Sequence, residues 1–231
     1  MAKRIFRFSL KLLLVLWIFS IIEVLFVRLV NPPVTTSMVY EWIYSELCTT
    51  LPFVWPEQEW KPIHQLSPHL IRAVQAGEDQ KFVLHHGFDF EEMYHALDDL
   101  QAGRRRRGAS TITMQTARTV FLWPSRTFMR KALEAYYTVI IEFLWSKKRI
   151  LEVYLNTVDW GTGIAGAEAA ARKYFHTGAS DLSRSQAALL AAILPYPHGW
   201  SPADPSEYVR ERQRRIMMDM ERMPAGRFRR R

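Results

Sequence analysis

The sequence predicts a mainly α-helical domain held behind one N-terminal transmembrane helix, and three observations carry that prediction. Lys3, Arg4, Arg7 and Lys11 precede or open onto the apolar run from Leu12 to Val30, which contains only Glu23 and Arg28 as charges and is about long enough to cross a bilayer. From about Gln65 onward the apolar residues recur at helical spacing, and no convincing alternating strand occurs before Pro195. The 231 residues are 48% hydrophobic, enough for one sizeable core plus appendages.

Basic residues ahead of the span predict a cytoplasmic N-terminus with the bulk of the chain outside. Asn31, Pro32 and Pro33 follow the apolar run in place of a small-residue cleavage site, so the span is expected to stay as an anchor rather than leave as a signal peptide. The chain then divides into a basic N-terminus (1–11), the span (12–30), a connector (31–66), the globular domain (67–223) and a basic tail (224–231). The connector is rich in proline, carries Trp42, Trp55 and Trp60, and includes a short helix from Ser37 to Leu47. In the domain, Ser67 as N-cap and Pro68 at the first helical position open a helix that runs to about Phe82. Phe128, Ala132, Ala135, Tyr136, Val139 and Phe143 form the apolar stripe of a long helix, and Ile150, Leu151, Tyr154 and Leu155 mark the next. Ser183 and Gln186 form a capping box ahead of AALLAAIL, which Pro195 ends, and an Arg-rich last helix begins at Asp204 and Pro205.

With 31 Lys+Arg against 23 Asp+Glu, the net charge of +8 favours an anionic partner. Cys48 is the sole cysteine, which excludes an intramolecular disulfide and a cysteine-based zinc site, and the histidines show no metal-ligand spacing. No metal ligands are predicted.

The chemistry centres on two acids. Ile71, Val74, Glu78 and Phe82 share one face of the predicted helix, so the Glu78 carboxylate is desolvated and suited to general-base work near neutral pH. An ion pair with Lys81 or an arginine is the competing reading. Arg104 to Arg107, bracketed by Gly103 and Gly108, reads as a mobile cationic loop, followed by the hydroxyls of Ser110 and Thr111 and then by Gln115 and Arg118. Arg126, Arg130 and Glu134 fall at i, i+4 and i+8, with Lys131 beside them, so a cationic face ends in a second carboxylate. Arginine forks of this kind suit a diphosphate. A nucleic-acid binder would leave the acids unexplained and lacks an aromatic platform. A peptidoglycan glycosidase would use the two carboxylates but not the cations. A glycosyltransferase acting on a lipid diphosphate accounts for acids, cations and anchor together.

Five motifs in order bring a resemblance into view. They are E-D-x-x-F-x-x-H-x-G (Glu78, Asp79, Phe82, His85, Gly87), G-x-S-T-I-T-x-Q (Gly108 to Gln115), R-K-x-x-E (Arg130, Lys131, Glu134), K-x-x-I-L-E-x-Y-L-N (Lys147 to Asn156), and a glycine-rich stretch leading to A-A-x-x-Y-F (Gly163 to Phe175). From about Ser67 to Met220 the chain resembles the monofunctional biosynthetic peptidoglycan transglycosylases of glycosyltransferase family 51, relatives of the glycosyltransferase domain of bifunctional penicillin-binding proteins. The resemblance implies a lysozyme-like α fold at the bacterial inner membrane, with the catalytic domain in the periplasm. The implied reaction polymerises lipid II and the growing lipid-linked glycan into β-1,4-linked strands, with inversion and release of undecaprenyl diphosphate. Glu78 is then the catalytic base and Glu134 the second catalytic acid residue, with Ser110, Thr111, Gln115, Arg118, Arg126, Arg130 and Lys131 binding substrate. Some members take a divalent cation, Mg or Mn, although this sequence shows no metal cage. Cell-wall synthesis or division proteins are further partners, and nucleic acid is not one. His85 and Asp79 are expected to be structural, and Glu152 to pair with Lys148. Phe121, Leu122 and Trp123 either dip into the bilayer surface or pack in the core. The chain departs from the family pattern at Met114, Arg118, Thr119, His176 and Thr177, and the alternative these raise is a non-catalytic relative acting as a cell-wall scaffold.

Overall fold

Helix-capping residues punctuate this chain almost everywhere a helix begins, and the computed structural model, which describes residues 2–48, 53–103 and 108–223, follows them. The arginine run 104–107 and the tail 224–231 lie outside the described residues. Helix α1 (Ala2–Leu29) has 28 residues, about 42 Å at 1.5 Å per residue, and its Lys3–Leu29 part is long and apolar enough to cross a membrane. Helix α2 (Thr36–Cys48) follows, and after a 3-10 turn at Ile63–Gln65 comes α3 (Pro68–Glu78), where Ser67 Oγ accepts from the His69 amide as its expected cap.

Helix α3 stops at Glu78 rather than continuing to Phe82. Asp79 leaves the helical region and its carboxylate accepts from the His85 ring (2.9 Å) and from the Ile112 amide (3.0 Å). Because the Gly87 amide donates to His85 Nδ1, the ring proton sits on Nε2, facing Asp79. Both residues are structural, as expected. Phe82 reaches the core from the turn that follows and is 1% exposed.

Asp89, Thr111, Thr127 and Ser146 cap α4 (Phe90–Gln101), α5 (Ile112–Phe121), α6 (Phe128–Leu144) and α7 (Lys147–Thr157). The hairpin β1 (Asp159–Gly161) with β2 (Ile164–Ala165) was not expected, since strands of three and two residues carry no readable alternation. Glu57 extends it by pairing with Gly163 and Ala165. Then come α8 (Ala167–Phe175), α9 (Arg184–Ile193) with its capping box complete, and α10 (Glu207–Arg222), which starts at the Ser206 cap instead of at Asp204.

The core explains the order. Residues 187–193 of α9 are all buried, and its alanines let α3 and α10 approach closely on either side. On the other half, α5 packs between α6 and α7, joined by Ile112, Ile141, Ile150 and Tyr154. Phe121 and Leu122 belong to this core, Phe121 stacking on Tyr137 at 4.9 Å, so of the expected trio only Trp123 remains partly open.

Two expectations need correction here. The predicted stripe of α6 faces outward, with Phe128 at 89%, Val139 at 58% and Phe143 at 84% exposure, while its buried face carries Arg130, Glu134, Thr138, Ile141 and Glu142. The polar side is inside because it forms the ion pairs described below, and the apolar side lies beside α1, where Tyr136 Oη is 2.7 Å from Ser20 Oγ. Glu152 pairs with Arg149 (2.6 Å) and not with Lys148, because Arg149 is also held at the end of α1 by the carbonyls of Val27 and Val30. A cation there satisfies the last carbonyls of a helix and its negative dipole end.

Gly87 has φ +91, and a Cβ there would stand 2.7 Å from Thr138 Cγ2. Gly87→Ala is therefore expected to destabilise the fold by roughly 1 to 3 kcal/mol, read as a lowered urea midpoint at unchanged slope.

Candidate active site

Glu78 is the last residue of α3, and its side chain keeps 11% of its surface, in the wall of an open cleft of about 990 Å3. Gln75, Lys81, Leu84, Ser110 and Thr111 also line this cleft. Gln115, one turn into α5, donates from Nε2 to Glu78 Oε2 (2.9 Å) and accepts at Oε1 from the Tyr154 hydroxyl (3.2 Å). Arg212 Nη2 stands 3.3 Å from Glu78 Oε1. Burial dominates this environment and pushes the Glu78 carboxyl above the usual range, against the lowering effect of Gln115, Arg212 and Arg118. The Tyr154 hydroxyl, fully buried nearby, is raised well above its ordinary value by burial and by the Glu78 charge, so it stays a neutral donor.

The second carboxylate is arranged in the opposite way. Glu134 is 1% exposed, and its two oxygens are occupied by Arg130 and Lys131, the pair at i−4 and i−3 on α6. Arg130 is nearly buried, whereas Lys131 leaves 46% of its side chain in the open and reaches Ser110 Oγ (3.3 Å). Ser110 joins the halves of the site, since its carbonyl accepts from Gln115 Nε2 (3.4 Å). A continuous polar path thus runs Glu78, Gln115, Ser110, Lys131, Glu134.

Other predicted site residues fall into distinct places. Thr111 caps α5 and donates to the Gly87 carbonyl (2.6 Å), so its hydroxyl holds the loop in shape. Arg118 is exposed on α5 near Glu78. Arg126 is exposed ahead of the Thr127 cap, off the α6 helix on which the i, i+4, i+8 spacing had placed it. Met114 is 3% exposed, so this departure from the family pattern faces the core and not the cleft. Sequence reasoning missed Tyr154 and Arg212. Tyr154 stood in a recognised motif but was assigned to packing, and Arg212, on α10, offered no local signal.

The sequence model of the Transglycosylase family matches residues 45–221. The chain belongs to the transglycosylase family. It is 45% identical over 207 residues to a biosynthetic peptidoglycan transglycosylase of Caulobacter vibrioides, covering 90% of this chain and 87% of the relative. A biosynthetic peptidoglycan transglycosylase of Rhodospirillum centenum is 53% identical over 156 residues, 68% of each chain. One of Shewanella oneidensis is 42% identical over 222 residues, covering 96% of this chain and 93% of the relative. Within the transglycosylase family the mainly α architecture of this chain is the lysozyme-like one that its motifs implied.

Among the described residues no group of three or more His, Cys, Asp or Glu converges, both Glu134 oxygens already carry cations, and those of Glu78 face Gln115 and Arg212.

Because the folded-state pKa of Glu78 is raised, the folded protein binds that proton more tightly than the unfolded chain does. Its contribution to stability is present below the usual carboxylate pKa and is lost as pH rises through the raised value. Glu78→Gln is accordingly expected to melt a few degrees higher than the parent at about pH 8 and to match it at about pH 4, by circular dichroism.

Proposed function

We propose that this chain polymerises lipid II with Glu78 as the base and the Arg130, Lys131 and Glu134 group as the diphosphate clamp. The transglycosylase family and the names of its relatives support glycan polymerisation. The observation that carries the division of labour is the polar path through Ser110, which places a desolvated, cleft-facing carboxylate on one side and a cation-loaded carboxylate on the other.

The chemistry follows from these positions. The acceptor 4-hydroxyl lies in the cleft against Glu78, which takes its proton as the oxygen attacks the anomeric carbon of the lipid-linked donor. The new C–O bond forms on the face opposite the departing diphosphate, so the configuration inverts. The electron pair of the broken bond stays on the diphosphate, whose growing charge meets Arg130, Lys131 and the exposed Arg126. Glu134 is closed off from substrate and acts by holding Arg130 and Lys131 in place. A base held by Gln115 but only partly neutralised by it keeps enough basicity for an alcohol proton.

The membrane completes the assignment. Ser20 lies nine residues before the end of α1, about 13 Å along its axis, so Tyr136 and the outward stripe of α6 sit within the depth of the hydrocarbon layer, which is about 30 Å thick. Trp145 Nε1 donating to the Val24 carbonyl (2.9 Å), five residues before the end of α1, supports a depth within the same layer. Phe128, Met129, Val139 and Phe143 then face acyl chains of the outer leaflet, and the clamp at the start of α6 receives a diphosphate whose lipid tail never leaves the bilayer. A basic N-terminus supports a cytoplasmic start of the chain, with the catalytic domain in the periplasm of a bacterial inner membrane.

Incubated with labelled lipid II, the full chain is expected to give polymer and Glu78→Gln none, while the variant still binds a lipid diphosphate. Undiminished polymer from Glu78→Gln would sink the base assignment. Arg130→Met should lower the rate about 10²- to 10³-fold, as loss of a charge-stabilising donor does. For the membrane placement, a nitroxide at Phe143→Cys in a Cys48→Ser background should collide with oxygen far more than with a water-soluble nickel chelate in vesicles. The reverse ranking would put that face in water.

A further inference from the structure

Arg212 lies on α10, far along the chain from the motifs that mark either half of the site. Its Nε donates to the Ala192 carbonyl (3.2 Å) and its Nη2 to the Gly77 carbonyl (3.1 Å), and the same Nη2 stands 3.3 Å from Glu78 Oε1. Ala192 and Gly77 belong to the last turns of α9 and α3, so two helices aim unpaired carbonyls and the negative ends of their dipoles at one point. A carboxylate at that point is disfavoured by burial, by both helix ends and by the neighbouring Asp79. The groups facing it are Gln115 and Arg118 from α5, Tyr154 from α7 through Gln115, Asp79 beside it and Arg212 from α10. Of the two cations, Arg118 is on the surface, whereas Arg212 keeps only 26% of its side chain exposed and is fixed by two backbone carbonyls. A lysine ammonium on a single stem would not span three acceptors in the same plane as a guanidinium does.

We propose that Arg212 is a positioning residue for the reaction, its guanidinium using the two helix ends as a mount from which it holds the Glu78 carboxylate towards the cleft as counter-ion. This rests on Glu78 acting as the base. Removing the charge raises the pH at which Glu78 gives up its proton, and a base works only when deprotonated, so the loss of rate falls on the acid side of the pH profile.

The test measures initial rates of polymerisation of labelled lipid II by the full-length protein in micelles, from about pH 5 to about pH 9. Two neutral variants are used, Arg212→Gln, which retains a donor amide, and Arg212→Met, which retains the apolar stem, so that either one that folds suffices. The expected result is an acidic limb displaced upward by about one pH unit, a loss of about tenfold below the limb and a rate close to the parent's at high pH. Arg212→Lys, which keeps the charge but not the planar fork, should recover only part of the displacement. Arg184→Gln is the control, since Arg184 also ties α9 to α10, through the Met217 carbonyl (2.6 Å) and Glu221 (2.7 Å), without touching Glu78, and should lower the melting temperature with no movement of the limb. A loss by the same factor at every pH in the neutral Arg212 variants, matching Arg184→Gln, would overturn the proposal. Polymer from Glu78→Gln would instead overturn the base assignment, whatever the Arg212 variants do, so the two failures are told apart.

Discussion

A carboxylate at the buried C-terminal end of a helix is the constraint on which this site is built. Desolvation and the helix dipole both oppose its charge, and an isolated acid there would take up a proton and lose its use as a base at low pH. Glu78 is rescued only in part, by one neutral amide from Gln115 and by cations that approach from α5 and α10. The result is an acid tuned between two extremes, held firmly but not neutralised. Glu134 shows the contrast: two cations grip it and its surface is closed.

The turn after Glu78 exists to keep this arrangement rigid. Asp79 accepts from the Ile112 amide at the start of α5 and orients His85, His85 accepts from the Gly87 amide, and Thr111 reaches back to the Gly87 carbonyl. Those bonds tie the end of α3 to the start of α5, so Glu78 and Gln115 cannot drift apart without breaking several at once. Gly87 permits the closure by adopting a backbone angle that a side chain would resist while passing close to α6. His176 ends α8 in the left-handed region with φ 54, where the resembling family often has glycine, and histidine is tolerated at the modest cost usual for such a residue.

Helix α6 links the candidate site to the long apolar helix α1. Its inner face presents the cations and Glu134, and its outer face is apolar and runs beside α1. Arg149 fastens the end of α1 to α7, with Glu152 holding it from below. Helix α1 is therefore joined to α6 and α7 by side-chain bonds as well as by sequence, which holds it at one position against them.

Much of this protein was legible along the chain. The long apolar helix, the caps at Ser67 and Ser183, the stop at Pro195 and the acids and cations of the site all depend on residues close together in sequence, where local sterics and hydrogen bonding act. Periodicity also found the apolar stripe of α6, but a period says that residues share a face and not what the face meets. Only the packing showed that this stripe lies outside, beside α1, and that the polar stripe is within. The same limit hid Arg212 and Tyr154, and made Lys148 seem the partner of Glu152, because ion pairs and buried hydrogen bonds form between groups brought together by tertiary contacts. The sequence by itself thus singled out both carboxylates. Tertiary structure decided which of them stays open to the cleft, because burial and ion-pair partners depend on how the helices pack.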